Sequence, residues 1–414
     1  MYRKAGIFTL ILFCIINLQS QTKNILFLGN SYTFVNDLPQ TLAYVATSAG
    51  KTLNFDSNAP GGYTLQGHST NAQSLTKIAA GNWDFVVLQE QSQLPSFPDF
   101  QVFSDVFPYA RILDSLINVS NPCTETVFFM TWGRKNGDSY NCPNWPPVCT
   151  YLGMDSLLNL RYSMMADSNQ AILSPVGAVW RYIRQNYPQI ELYQSDESHP
   201  SEAGTYAAAC CFFTVVFRED PLLITYNSTL NNADAANIRN ACRQVVYNNL
   251  LSFHVGEYDP QAVFSYQSQG NNIIFTNNSL YADTYKWSFG DGDFSTVANP
   301  VHNYSLTGSY QVKLTAERCG MQDTLTQLIN IISTDISNNP DEKDIKIFPN
   351  PAQNELNINF NGDYYKLNYY ISDISGKEIL SGMINQKLST INIASLSKGL
   401  YFIRLTDISN LSKV

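Results

Sequence analysis

The 414-residue sequence is poor in the side chains that do most biological chemistry. It has four histidines and 14% charged residues, with no Cys-x-x-Cys pair and no closely spaced His pair. That scarcity speaks against a metal knuckle, which needs several such donors at short spacing. Basic runs are missing too, and the net charge is −9. Nucleic acid and anionic membrane surfaces are bound largely through their phosphates, so neither would find enough Lys and Arg here. Beyond the first residues, no stretch approaches the roughly 20 apolar residues of a membrane-spanning helix.

The N-terminus, "MYRKAGIFTLILFCIINLQSQTKN", places Arg3 and Lys4 before an apolar run from Ala5 to Leu18 and then small or polar residues. This is the pattern of a secretory signal peptide over residues 1–20, and it predicts a mature chain that passes through the periplasm without a membrane span. A hydrophobic fraction of 44% is ordinary for chains that bury real cores, and the length has room for two or three domains. Without Cys14 in the leader, seven cysteines remain. Cys142 and Cys149 bracket the Pro-rich "CPNWPPVC" and form the best candidate disulfide for an oxidising compartment. Cys210 and Cys211 fall in the apolar "YAAACCFFTVVF", where buried free thiols are expected.

Residues 22–255 alternate buried strand-like runs ("KNILFLGNS", "WDFVVLQEQ", "TETVFFMTW") with helical patterns ("LPQTLAYVATSAG", "SEAGTYAAACCFFTVVF"). This predicts an α/β domain with a parallel sheet. From about residue 260 to 333 the texture becomes short alternating strands with Asn, Gly and Ser turns, the pattern of a small β-sandwich. A polar linker, "STDISNNPDEKD", then leads to a second β-rich segment, residues 345–414.

Two segments carry chemistry. The first strand ends in Gly29-Asn30-Ser31, and the carboxyl end of such a strand lies in the crevice where open α/β sheets bind ligands. Ser31 is either a nucleophile held in that crevice or the cap of the helix that follows. In "YQSDESHPSEAG", the Asp196-x-x-His199 spacing lets a carboxylate orient one imidazole nitrogen while the other faces a nucleophile. Glu197 reads as a solvated loop charge, and Ser201 with Glu202 as the start of a helix. His254 and His302 lie outside this pattern.

At these residues the chain resembles the SGNH (GDSL-like) hydrolase family, "ILFLGNSYT" and "SDESHPSEAGTYAAA" being similar to its blocks I and V. The resemblance covers residues 22–255 and implies a flavodoxin-like, three-layer α/β hydrolase fold that needs neither metal nor cofactor. By position it implies that Ser31 is the nucleophile and an oxyanion donor, with Asp196 and His199 completing a triad. Gly62, or its neighbour Gly61, in "NAPGGYTLQGH" would supply a second donor. The family's block III Asn is missing from "VVLQEQSQLPS", so Gln89 or Gln91 would stand in for it. "GNSYT", "PGG…L…H" and "LQEQS" together resemble a bacterial subgroup of the family, which would make His68 a pocket residue along with Gln91. His68 is also the rival base, though no carboxylate stands near it in sequence. Trp132 either walls the pocket or belongs to the core.

The segment with Trp287, Gly290-Asp291-Gly292, Pro300, His302, Tyr304 and Gly308-Ser309-Tyr310 resembles a PKD domain. "FPNP", "ISDISGKEI" and "LSKGLYFIRL" resemble the C-terminal sorting domain of type IX secretion substrates in Bacteroidetes. Together the resemblances imply a secreted or cell-surface esterase, with the type IX machinery as partner and short acyl (acetyl) esters of extracellular carbohydrate as substrates. The alternatives are a non-catalytic carbohydrate-binding or adhesion protein on the same scaffold, and a lipase.

Overall fold

The computed structural model describes residues 22–332, 344–361 and 366–407. The expected leader, residues 1–20, lies outside them. The first apolar run forms β1 (Thr22–Leu28), whose last four residues are fully buried, as expected of a strand covered on both faces. Helices α1 (Ser31–Phe34) and α2 (Leu38–Ser48) follow it, then β2 (Thr52–Asn58), α3 (Leu65–Thr70), α4 (Ala72–Ala79) and β3 (Phe85–Leu88). The alternation continues through α5 (Asp99–Asp105), α6 (Phe107–Ser120), β4 (Glu125–Phe129), α7 (Tyr151–Asn169) and β5 (Ile172–Ser174). Helices α8 (Val176–Asn186), α9 (Glu202–Phe217) and α10 (Asn232–Val245) close the α/β portion.

The five strands are parallel in the order β2-β1-β3-β4-β5, so the winding reverses between β1 and β3. Successive side chains of each strand feed opposite cores. Ile25, Phe27, Val87 and Phe129 pack under α2, α8, α9 and α10, while Leu26, Leu28, Val86 and Phe128 pack under α6 and α7. This is the three-layer, flavodoxin-like architecture. Helix α9 is buried on every side from Ala203 to Phe217, which explains its all-apolar sequence, and Cys210 and Cys211 are buried free thiols within it.

The β-sandwich follows as β6 (Phe264–Gln269), β7 (Asn272–Asn277), β8 (Thr284–Ser288), β9 (Phe294–Ser295), β10 (Val301–Asn303), β11 (Gly308–Arg318) and β12 (Met321–Ile331). Its sheets, β10-β7-β6 and β12-β11-β8-β9, close over Trp287, which contacts Phe264 and Phe275. β9 and β10 are too short to show a period in sequence.

Two compact units divide between Asn330 and Ile331, and the first holds both the α/β portion and nearly all of this sandwich. A Cys123–Cys319 disulfide joins the loop before β4 to the β11–β12 turn across 196 residues of sequence, a separation that hid it from sequence reading. The expected Cys142–Cys149 bridge is present as well. Closing so long a loop restricts the unfolded chain strongly, so the Cys123→Ser/Cys319→Ser double variant should lose about 2–4 kcal/mol in denaturant unfolding. An unchanged midpoint would refute this.

The second unit contains β13 (Asp344–Phe348), β14 (Glu355–Asn361), β15 (Leu367–Ser372), β16 (Glu378–Ile384), β17 (Leu388–Asn392) and β18 (Phe402–Asp407). Two antiparallel sheets, β13-β14-β17 and β16-β15-β18, enclose Ile358, Ile371, Ile384 and Ile391. Among the described residues, no helix is long and apolar enough to cross a membrane.

Candidate active site

Where β1 gives way to α1, Asn30 rather than Ser31 caps the helix, its Oδ1 accepting from the Tyr32 amide at 3.1 Å. Ser31 is the first helical residue, and its amide is a first-turn N–H without an intrahelical acceptor. The loop stands beside the reversal between β1 and β3, where sheets of this kind open a crevice. Gly29 is required for room: a Cβ there would lie 2.4 Å from Thr33 Oγ1 and 2.6 Å from Gln89 Oε1.

The His199 loop is built independently of this one. Ser201 caps α9 through the Gly204 amide at 3.1 Å, with Glu202 in the first turn, as the sequence predicts. Gln194 N donates to His199 O at 2.8 Å and closes the loop, while Glu197 adopts a left-handed φ of 61°. Asp196 Oδ1 accepts from the amides of Ser198 (3.1 Å) and His199 (3.0 Å), and its Oδ2 accepts from His199 Nδ1–H. His199 Nε2 is then 2.9 Å from Ser31 Oγ, 168 residues away in sequence. Glu197 turns aside, its carboxylate accepting from Asn136 Nδ2 at 2.9 Å. Burial works against the Asp196 charge, but the His199 hydrogen bond and the two amides outweigh it and hold the carboxyl below its usual range. An ionised Asp196 fixes the tautomer with the proton on Nδ1, leaving Nε2 to accept the Ser31 hydroxyl proton.

Behind the imidazole runs a column of rings. Tyr32 meets His199 edge-on at 5.4 Å and stacks on Trp132 at 4.7 Å, which in turn stacks on Trp180 at 3.7 Å. Trp132 Nε1 donates to Ser198 O at 3.1 Å, and the Tyr32 hydroxyl is 2.7 Å from Ser198 Oγ. Trp132 is therefore a fully buried brace of the His199 loop and does not wall a pocket.

Two further residues, Gln89 and His68, depart from the sequence expectations. Gln89 has no donor to spare: its Nε2 donates to Asn30 Oδ1 (2.7 Å) and Glu90 O (2.8 Å), while its Oε1 accepts from Asn30 N (3.0 Å) and Thr33 Oγ1 (2.8 Å). It ties down the Ser31 loop and leaves nothing for an oxyanion. His68 is fully buried; its Nε2–H donates to Gly29 O at 2.9 Å and its Nδ1 pairs with Ser74 Oγ at 2.8 Å. Burial, opposed by the Gly29 carbonyl, lowers its pKa, so it is a neutral strut under the loop. It is neither the base nor a pocket residue.

Gln91 keeps one free amide N–H, because Nε2 donates only to Gln93 Oε1, at 3.1 Å, among the described residues. Gly62 is exposed in a turn with φ 70°, next to Tyr63, whose carbonyl accepts from Asn30 Nδ2 at 3.0 Å. Its neighbour Gly61 is exposed as well.

Sequence reading missed Glu90, whose signal was a lone carboxylate at the end of a buried apolar strand. Both carboxyl oxygens lie 3.2 Å from the Leu65 amide, and Oε1 lies 2.6 Å from the Gln91 amide, so the residue ties the loops after β2 and β3 together. Burial, with a small push from Asp105 and against the two amides, raises the carboxyl from 4.5 to about 8. A raised acid in the folded state contributes stability that is full below its unfolded value and is lost as pH rises through the folded one. Unfolding free energy should therefore decline from pH 5 to pH 8, and Glu90→Gln should flatten the decline. Urea melts at both pH values check this; equal slopes in the two proteins would refute it.

The family model described as the secretion system C-terminal sorting domain matches residues 346–414, and that described as the PKD domain matches residues 261–332. Over 77 residues, 17% of this chain, the sequence is 36% identical to the pre-pro-metalloprotease PrtV of Vibrio cholerae serotype O1, and the match spans only 8% of that protein. Among solved structures, the chain is similar to a DUF4886 family protein from Bacteroides uniformis, with 18% identity, a TM-score of 0.48 and coverage of 56% of this chain and 95% of that one. It is also similar to a candidate SGNH hydrolase from Slackia heliotrinireducens, with 27% identity, a TM-score of 0.38 and coverage of 46% and 97%. The chain thus carries a secretion system C-terminal sorting domain and a PKD domain behind a parallel α/β portion, the composition of a secreted or cell-surface protein.

Proposed function

We propose that this protein is a secreted serine esterase that removes short acyl groups, acetyl foremost, from extracellular carbohydrate. The observation that carries the proposal is the 2.9 Å approach of Ser31 Oγ to His199 Nε2, with Nδ1 held by Asp196. In this reading Nε2 takes the hydroxyl proton as Oγ attacks the ester carbonyl, and Asp196 stabilises the imidazolium. The amides of Ser31 and Gly62 and the free N–H of Gln91 hold the oxyanion. Collapse breaks the bond to the sugar oxygen, which takes the proton from Nε2 and leaves as the hydroxyl. Water, deprotonated by the same nitrogen, then attacks the acyl-enzyme and releases the acid with Ser31 restored.

The proposed modules are an esterase over residues 22–255, a PKD-like spacer or carbohydrate-contacting sandwich over 260–333, and a sorting domain over 345–414. The preference for carbohydrate rests on the company of these modules, an argument from association.

A fluorophosphonate probe tests the chemistry, because it reacts only with an activated serine. The expected result is one adduct, on the peptide containing Ser31; no adduct there would sink the esterase reading. It would favour a carbohydrate-binding or adhesion protein on the same scaffold, the reading that the committed amide of Gln89 supports. A chain-length series of p-nitrophenyl esters should fall steeply beyond acetyl, whereas a rise towards long acyl chains would indicate a lipase.

A further inference from the structure

The loop between β4 and α7 runs along the His199 loop and is tied to it on both sides of Arg134. The Tyr193 hydroxyl donates to Gly133 O at 2.7 Å, and Lys135 N donates to Glu197 O at 2.9 Å. Further along, Gln93 Nε2, from the loop after β3, donates to Asp138 Oδ2 at 2.6 Å. Arg134 therefore stands between the loops that follow β3 and precede α9, and its charge is felt at the hydroxyl of Tyr32, the neighbour of Ser31.

Its guanidinium is under-used. Among the described residues its only ionic partner is Asp138, with Nη1 3.4 Å from Oδ1, well outside the roughly 2.7–2.9 Å of a charge-assisted bond. Asp138 has two closer donors. Asn141 Nδ2 and Gln93 Nε2 each donate to its Oδ2 at 2.6 Å, and against the cost of burial these bonds, with the Arg134 charge behind them, hold its carboxyl below the usual range. Among the described residues Arg134 Nε is buried with no hydrogen-bond partner, while 29% of the side chain remains exposed. The neighbouring Lys135 is occupied by Glu191, Nζ to Oε2 at 2.5 Å. A planar cation with N–H groups to spare, on a loop tied to the one that carries His199, is suited to a planar carboxylate, which it can grip with two parallel bonds.

We propose that Arg134 is a specificity residue that binds a carboxylate on the substrate, so that the preferred esters are those carried on an acidic sugar, a uronic acid. The proposal rests on the esterase reading and narrows it. The chain's net charge of −9 repels such a ligand at long range, so recognition falls to this local contact and should weaken as salt screens it.

The test compares acetate release from O-acetylated polygalacturonate with free carboxylates and from the same polymer after complete methyl esterification, which removes only the charge. The wild-type protein should show kcat/KM about tenfold or more higher on the free acid, the worth of one charged hydrogen-bonded pair. Arg134→Gln should bring the ratio close to one, and Arg134→Lys, which keeps the charge without the fork, should leave an intermediate ratio if the glutamine variant does not fold. Equal wild-type rates on the two polymers, or an unchanged ratio in the variants, would overturn the proposal. Comparing p-nitrophenyl succinate with p-nitrophenyl acetate asks whether the carboxylate sits on the acyl side instead; a preference for succinate with none for the free-acid polymer would also overturn it.

Calorimetric titration of the Ser31→Ala protein with trigalacturonate separates the two readings. Binding that Arg134→Gln weakens, in a protein whose wild type releases no acetate, would leave the Arg134 site standing and remove the esterase. Turnover of neutral esters without trigalacturonate binding would do the reverse.

Discussion

Replacing Ser31 by Ala is expected to lower kcat on p-nitrophenyl acetate by about four to six orders of magnitude, down to the rate of the residual binding site. In the proposed reaction this hydroxyl is the group that forms the acyl-enzyme, and its loss leaves His199 no proton to take. His199→Ala should cost about as much, and the double variant little more, because the two act as one unit. Asp196→Asn should be less damaging. Its side chain is 47% exposed, so water can partly replace the contact that orients the imidazole. Ser31 Oγ bonds only to His199 among the described residues, so the Ser31→Ala protein should melt within a degree or two of the wild type. That makes activity a clean readout. Equal rates from wild type and Ser31→Ala would show that the observed hydrolysis is background reaction with surface groups.

Gln89→Ala should reduce stability and turnover together. Four buried hydrogen bonds involve this side chain, three of them shared with the Asn30 and Thr33 groups around the nucleophile. Truncation would strand the Asn30 amide and the Thr33 hydroxyl in a dry site, and would take one of two donors from Asn30 Oδ1 and from the Glu90 carbonyl, at a cost of about 3–5 kcal/mol. Loosening the loop by a fraction of an ångström would also remove Ser31 from line with His199, lowering kcat by about a hundredfold. The joint loss is diagnostic. A donor to the oxyanion would lower kcat and leave the denaturation midpoint alone, so a fall in kcat at constant midpoint would return Gln89 to the role its sequence position suggested.

These expectations place the delicate part of the site beneath the reacting groups. Gly29 leaves space for Gln89, His68 holds the Gly29 carbonyl, and Asn58 reaches the same assembly by donating to Ser74 Oγ at 2.8 Å. Each of these residues is buried, and each acts on Ser31 through its backbone, so each is a positioning residue.

Sequence alone determined the features set by local geometry. The alternation of buried runs and helices identified the parallel sheet, because a strand covered on both faces must be apolar throughout. Asp196 and His199 were legible as a pair since three residues in a turn cannot hold them far apart, and Ser201 was legible as the cap that closes that turn. The seven-residue spacing of Cys142 and Cys149 was local in the same sense.

Only the tertiary structure decided which donors were free and which side chains were covered. Gln89 and Gln91 are equivalent amides in the sequence, but the close approach of β1 to β3 saturates the first and spares the second. His68 and Trp132 carry the signature of pocket residues until the strands and α9 enclose them. Cys123 finds Cys319, and Arg134 comes to stand between two loops, by contacts across long stretches of chain. A hydrogen-bonding group reveals its type in sequence, but whether it is already satisfied depends on partners that only folding brings within 3 Å.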